Sequence, residues 1–107
     1  MGLKNETAIA RSVRNIILTE PGEKFFDENY GSRVSKLLFE NVDDITASQI
    51  QEEIEYSIKT YEPRVNLLEV ESIPNFDNNE YNVVITYEII GADVDAQQLE
   101  FVLLPSR

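Results

Sequence analysis

The spacing of apolar positions along this chain changes character near residue 64. Before that point they recur every three or four residues, and after it every second one. Ile9, Val13, Ile16 and Ile17 fall on one side of a helix predicted over about 6–18, with Asn5 placed to cap it and Arg11 and Arg14 on another side. Glu20-Pro21-Gly22 ends this helix with turn chemistry. Phe25, Phe26 and Tyr30 follow in an irregular stretch, where aromatics in a polar loop are expected to pin it to the core. Gly31 reads as a turn position. Ser32 can cap a short helix over 33–40 with Val34, Leu37 and Leu38 inward. After an acidic connection over 41–45, Thr46 and Gln49 fit a capping box opening a third helix over about 47–61. Its inward stripe is Ile50, Ile54, Ile58 and Tyr61, and Glu52, Glu53 and Glu55 lie on the exposed side. Pro63 stops the helix and disfavours helical angles at Glu62.

The alternating part predicts three strands. The first runs over 65–73 and is ended by Pro74 and the polar turn 75–79. The second alternates Tyr81, Val83, Ile85, Tyr87 and Ile89 with Asn82, Val84, Thr86, Glu88 and Ile90, and is long enough to be central. After a turn over 91–96, Leu99, Phe101 and Leu103 alternate through a last strand ending before Pro105. Short links between consecutive strands favour an antiparallel meander. Helices first and strands afterwards make an α+β fold, with three N-terminal helices packed on one face of a small, mostly antiparallel three-stranded C-terminal sheet. A length of 107 residues supports one small domain, 1–107, with one core.

Composition removes most chemistries. The chain has no Cys and no His, which excludes disulfides, thiol catalysis, common zinc sites and imidazole-dependent triads. No metal or cofactor is expected. No apolar run approaches a membrane span, and Met1–Lys4 does not open a signal peptide. The net charge is −11, unevenly distributed. Residues 1–36 carry six basic and five acidic groups (+1), whereas residues 37–107 carry three basic and fifteen acidic ones (−12). A field of that sign repels phosphate backbones, so no nucleic-acid partner is expected; it favours a basic protein surface or a cationic partner, or serves simply as a solvated acidic face that keeps the chain in solution. Catalysis by a carboxylate pair is the one enzymatic option left, and among twenty acids some pair always has plausible spacing. Asp43-Asp44 and Glu52-Glu53 read better as connection and helix-surface charge. Asp77-Asn78-Asn79-Glu80 lacks the frame of a calcium loop.

Two features exceed what a plain domain needs. Tyr61-Glu62-Pro63-Arg64 is a rigid corner between the third helix and the sheet, with Arg64 isolated in an acidic region. Arg64 can tie helix to strand internally, or offer a planar fork to a partner's carboxylates or carbonyls. The second feature is the last strand, Leu99, Glu100, Phe101, Val102, Leu103 and Leu104, apolar on both faces with Glu100 its only gatekeeper. As the end of a meander it is an edge, and such an edge is expected where another chain pairs with it.

The order of motifs resembles the baseplate wedge proteins of contractile tails named for gene product twenty-five of the T-even phages, with their type VI secretion counterparts. The residues that carry the resemblance are the loop Gly22-Glu23-Lys24-Phe25-Phe26-Asp27-Glu28-Asn29-Tyr30-Gly31, then Leu37-Leu38-Phe39-Glu40-Asn41, then Tyr61-Glu62-Pro63-Arg64. The loop departs from the family pattern at Phe25 and Glu28, where Pro is frequent. The resemblance implies a non-enzymatic subunit of a tail baseplate that starts sheath polymerisation. It implies that Glu62, Pro63 and Arg64 dock on the helical core bundle of larger wedge proteins. Sheath subunits would add strands along Leu99–Leu104, with tube-side proteins nearby. It also implies a place in a virion tail baseplate assembled in the host cytoplasm, or in the bacterial cytoplasm for a tailocin or secretion system. Some family members carry a lysozyme label, but no matching catalytic motif is visible in this sequence. An acidic muramidase and a free acidic adaptor are the competing readings.

Overall fold

The computed structural model describes residues 3–19, 31–38 and 42–105, with side chains from residue 6 onwards. The loop aromatics Phe25, Phe26 and Tyr30, the turn at Glu20-Pro21-Gly22, and the stretch from Phe39 to Asn41 lie outside the described residues. Three helices, α1 (Leu3–Leu18), α2 (Val34–Leu37) and α3 (Asp44–Tyr61), precede three strands, β1 (Val65–Asn75), β2 (Glu80–Ile89) and β3 (Gln97–Leu103). The strands form an antiparallel sheet in the order β1-β2-β3, so β2 is central and β1 and β3 are edges. This is the expected α+β arrangement.

The helical stripe behaves as its spacing requires. Ile9, Val13, Ile16 and Ile17 of α1 are buried, and Ile50, Ile54 and Ile58 of α3 are at most 1% exposed. Apart from Ile16, they meet the inward row of β2, formed by Tyr81, Val83, Ile85, Tyr87 and Ile89, in one core. Each fully buried Ile contributes about 1.5–3 kcal/mol by leaving water. α3 packs against β1, and α1 and α2 pack against α3.

Several boundaries differ from expectation, each for a local reason. α1 begins at Leu3, so Asn5 lies inside it and is not its cap. α2 spans only Val34–Leu37 and has no side-chain cap bond at its N-cap, Arg33. Ser32 instead donates its hydroxyl to the carbonyl of Ile17, 2.6 Å away, fastening this segment to the end of α1. Gly31, with φ +114°, supplies the left-handed backbone that turns the chain into that contact. α3 opens at Asp43 rather than through the Thr46–Gln49 box. The Asp43 carboxylate accepts from the Thr46 N–H at 2.6 Å and from its hydroxyl at 3.1 Å. The buried Tyr81 hydroxyl accepts from the Asp43 N–H, so the cap is attached to the first residues of β2. In the turn between β1 and β2, Asn79 takes φ +55°, a conformation Asn tolerates.

β1 continues through Pro74 to Asn75, two residues past its expected end. As an edge strand it can hold a proline without losing a ladder bond. The ladder with β2 also shifts between Leu67 and Glu69. Val65 and Leu67 face the helices; strict alternation would then turn Glu69 and Glu71 into the core. The bulge at Leu68 resets the phase, so that Val70 and Ser72 point inward and both acids stay in water.

Candidate functional site: the α3–β1 corner and the β3 edge

Glu62 closes α3: its N–H donates to the Ile58 carbonyl at 2.9 Å, and its backbone then turns into β1. Its side chain is 2% exposed and, among the described residues, it is the one buried acid. Three donors satisfy the carboxylate. Arg64 gives Nε–H to Oε2 at 2.7 Å and Nη2–H to Oε1 at 2.9 Å, a side-on bidentate pair. Ser12 of α1 donates its hydroxyl to Oε1 at 2.6 Å. The Arg64 N–H adds a longer contact at 3.4 Å. These bonds, led by the Arg64 side chain, hold the Glu62 carboxyl below the usual carboxylate range against the opposing effect of burial. The Arg64 carbonyl accepts from the Ile90 N–H at 2.9 Å, which fixes the corner to the end of β2.

The Glu62 carboxylate therefore joins α1, α3 and the start of β1, and the Arg64 carbonyl adds β2. Pro63 is exposed beside it. Arg64 is both of the things its sequence allowed: it ties the corner internally, and its side chain is still 53% exposed. Glu62 engages two of the five guanidinium N–H groups, on one side of the fork. Ser12 was not singled out by the sequence reading. Its signal was position: three residues after Ile9 and four before Ile16, it is a hydroxyl on the apolar stripe of α1.

The second candidate region lies across the whole of β2 from the corner. Leu99, Phe101 and Leu103 turn toward the helices, and Leu103 is 5% exposed. Glu100 and Val102 face outward, and Leu104, 61% exposed, lies just past the strand. β3 pairs with β2 alone among the described strands, which leaves its other side as a sheet edge. The Arg14 guanidinium of α1 sits 5.5 Å from the centroid of the Phe101 ring, a cation–π contact that steadies the helix-facing side of this edge.

Comparison with known proteins identifies the frame that carries these two regions. The sequence profile described as baseplate wedge protein gp25 matches residues 4–94. Over 107 residues the chain is 34% identical to baseplate wedge protein gp25 of Enterobacteria phage T4, covering 100% of this chain and 79% of the T4 protein. The chain belongs to the gp25 baseplate wedge family. The fold recurs in two solved structures of lower identity. A candidate tail lysozyme from Geobacter sulfurreducens aligns with TM-score 0.86 at 22% identity, covering 100% of this chain and 96% of that one. A chain of the type VI secretion system baseplate complex aligns with TM-score 0.78 at 14% identity, covering 96% of each. The gp25 profile contains the α3–β1 corner and ends before β3 begins.

Proposed function

We propose that this chain is the small structural subunit of a contractile tail baseplate wedge. The Glu62-Pro63-Arg64 corner holds it on the helical core bundle of the larger wedge proteins, and the β3 edge templates the sheath by strand addition. The observation that carries this reading is the arrangement of Arg64. A buried, ionised carboxylate grips one side of the guanidinium, while half of the side chain remains exposed. That is a cation set in a fixed orientation, suited to planar recognition of a partner's carboxylates or carbonyls. Family membership supplies the context, since the 34%-identical relative is a baseplate wedge protein.

The kinship to a candidate tail lysozyme does not favour catalysis here. A glycosidase general acid needs a carboxyl held above its usual value, and Glu62 is held below it by three donors. Its chemistry is that of an anchor.

The test is assembly. Arg64→Ala is expected to stay folded but to stop co-purifying with the larger wedge proteins, and Arg64→Lys to restore little, because an ammonium cannot reproduce the fork. Full wedge incorporation of a folded Arg64→Ala chain would reject the docking role.

A further inference from the structure

Among the described residues the helices cover one face of the sheet, and the other face is open. Between Val65 and Pro105 the sequence contains no Lys or Arg. The open face carries Glu69 and Glu71 from β1, Glu80 and Glu88 from β2, and Glu100 from β3. Apolar side chains are interspersed among these carboxylates on the same face. Ile73 and Val102 stand on either side of Asn82, 47% and 49% exposed, and in the next row Val84 stands between Glu71 and Glu100. Strand spacing places the Glu71 and Glu100 backbones about 10 Å apart across that valine.

A sheet face made only for water mixes both signs of charge. This one holds charges of a single sign, none directly opposite another but with Glu69 and Glu71 two residues apart on one strand, around side chains that water solvates poorly. The two properties together specify an occupant. It must be basic, to neutralise the carboxylates, and apolar between its charges, to cover the apolar side chains among them. Nucleic acid and anionic membrane are repelled by the field. The open face of a second copy carries the same charges and is repelled too.

We propose that the open sheet face is a docking surface for a basic, amphipathic segment of a partner protein. Lys or Arg of that segment lies against Glu69, Glu71 and Glu100, and its apolar side chains cover Ile73, Val84 and Val102. Strand addition at β3 would use backbone groups along the edge, whereas this surface uses side chains across the face, so one particle can use both. That the partner is another tail protein rests on the reading above; the chemistry of the face does not.

The experiment uses the full chain and, as probe, a short peptide alternating Lys and Val, with a Glu–Val peptide as control. Methyl NMR signals of Ile73, Val84 and Val102 are expected to shift with the Lys peptide alone. Glu69→Lys combined with Glu71→Lys, both on β1 and remote from the β3 edge, is expected to weaken binding by about tenfold or more. It should leave the thermal midpoint unchanged or raised, because repulsion is relieved. A proline at Gln98, on the β3 edge but outside the contacts named here, should leave peptide binding intact, which separates this surface from strand addition. Shifts centred on Glu52 and Glu55 of α3 or on the Asp93–Asp95 turn would overturn the proposal. So would equal binding by the double variant, or shifts on the open face that grow with protein concentration without peptide, the mark of a second copy.

Discussion

At the α3–β1 corner a buried carboxylate receives donors from α1 and from Arg64, and the chain around it is bonded to β2. On the far side of β2, β3 has, among the described residues, a neighbour on one side and an open backbone on the other, with Val102 and Leu104 exposed. The corner is complete within the molecule, and its polar groups fix where one cation points. The edge is incomplete within the molecule, and its position is set by β2 and by the helix-facing residues beneath it. A rigid hook and an unfinished sheet suit two different modes of contact, and they differ most in how much stability each would lose on substitution.

The largest effect is expected at the corner. Arg64→Ala leaves the Glu62 carboxylate in a nearly water-free site with Ser12 as its main donor. The cost should be about 2 kcal/mol, below that of a fully buried pair because Arg64 is half exposed. Adding Glu62→Gln should recover part of it, so urea denaturation of both singles and the double should give clearly non-additive changes. Strict additivity would mean that the pair does not act as a unit.

The pH dependence sharpens the same contrast. The folded-state value for Glu62 lies below its unfolded one, chiefly because of the Arg64 hydrogen bonds. The unfolded chain therefore binds the proton first, and the stabilisation, complete above the ordinary Glu range, is lost as the pH falls through the folded value. Tyr87 shows the opposite sign. Burial, then the charges of Glu62 and Glu6, raise its value, so its contribution is complete below the ordinary Tyr value near 10 and is lost as the pH rises further. Urea midpoints across pH should show both limbs. Glu62→Gln with Arg64→Ala should flatten the acid limb, and Tyr87→Phe the alkaline one; unchanged limbs would remove these groups as their source.

The smallest effect on stability is expected at β3. A proline at an outward-pointing N–H near Val102, which is 49% exposed, should cost the isolated chain under about 1 kcal/mol. Sheath length on assembled baseplates should nevertheless fall sharply in electron micrographs, while wedge incorporation continues. Normal sheaths on such particles would shift attention to the other edge, β1.

Much of this was legible in the residues. Helical spacing from Ile9 to Ile58 and the alternation of β2 follow from which faces must leave water, so order, type and inward rows were readable. What escaped depends on contacts between distant segments. Thr46 and Gln49 fit a capping box in isolation, but the Tyr81 hydroxyl holds the Asp43 N–H and places the cap three residues earlier. Pro74 reads as a strand end unless the strand is known to be an edge. At the site, the isolation of Arg64 was visible in the charge pattern, whereas its grip by Glu62 was not; nor was the tie from Ser12, fifty residues away along the chain.

The bulge at Leu68 has a consequence for fidelity. An evenly alternating pair of strands can slide by two residues and keep every side chain on its proper face. A strand with one surplus residue is held more firmly, because the bulge and the turn together fix which residues stand opposite one another. β1 is thereby locked to β2 in a single alignment, with Val65 opposite Ile89 and Val70 opposite Ile85. β3 pairs with β2 without a bulge, so its alignment rests on its own inward residues, with Leu103 opposite Tyr81 and Leu99 opposite Ile85. A strand arriving from outside would take its alignment from β3 alone, and the one leucine that does not fit fixes only the opposite side of the sheet.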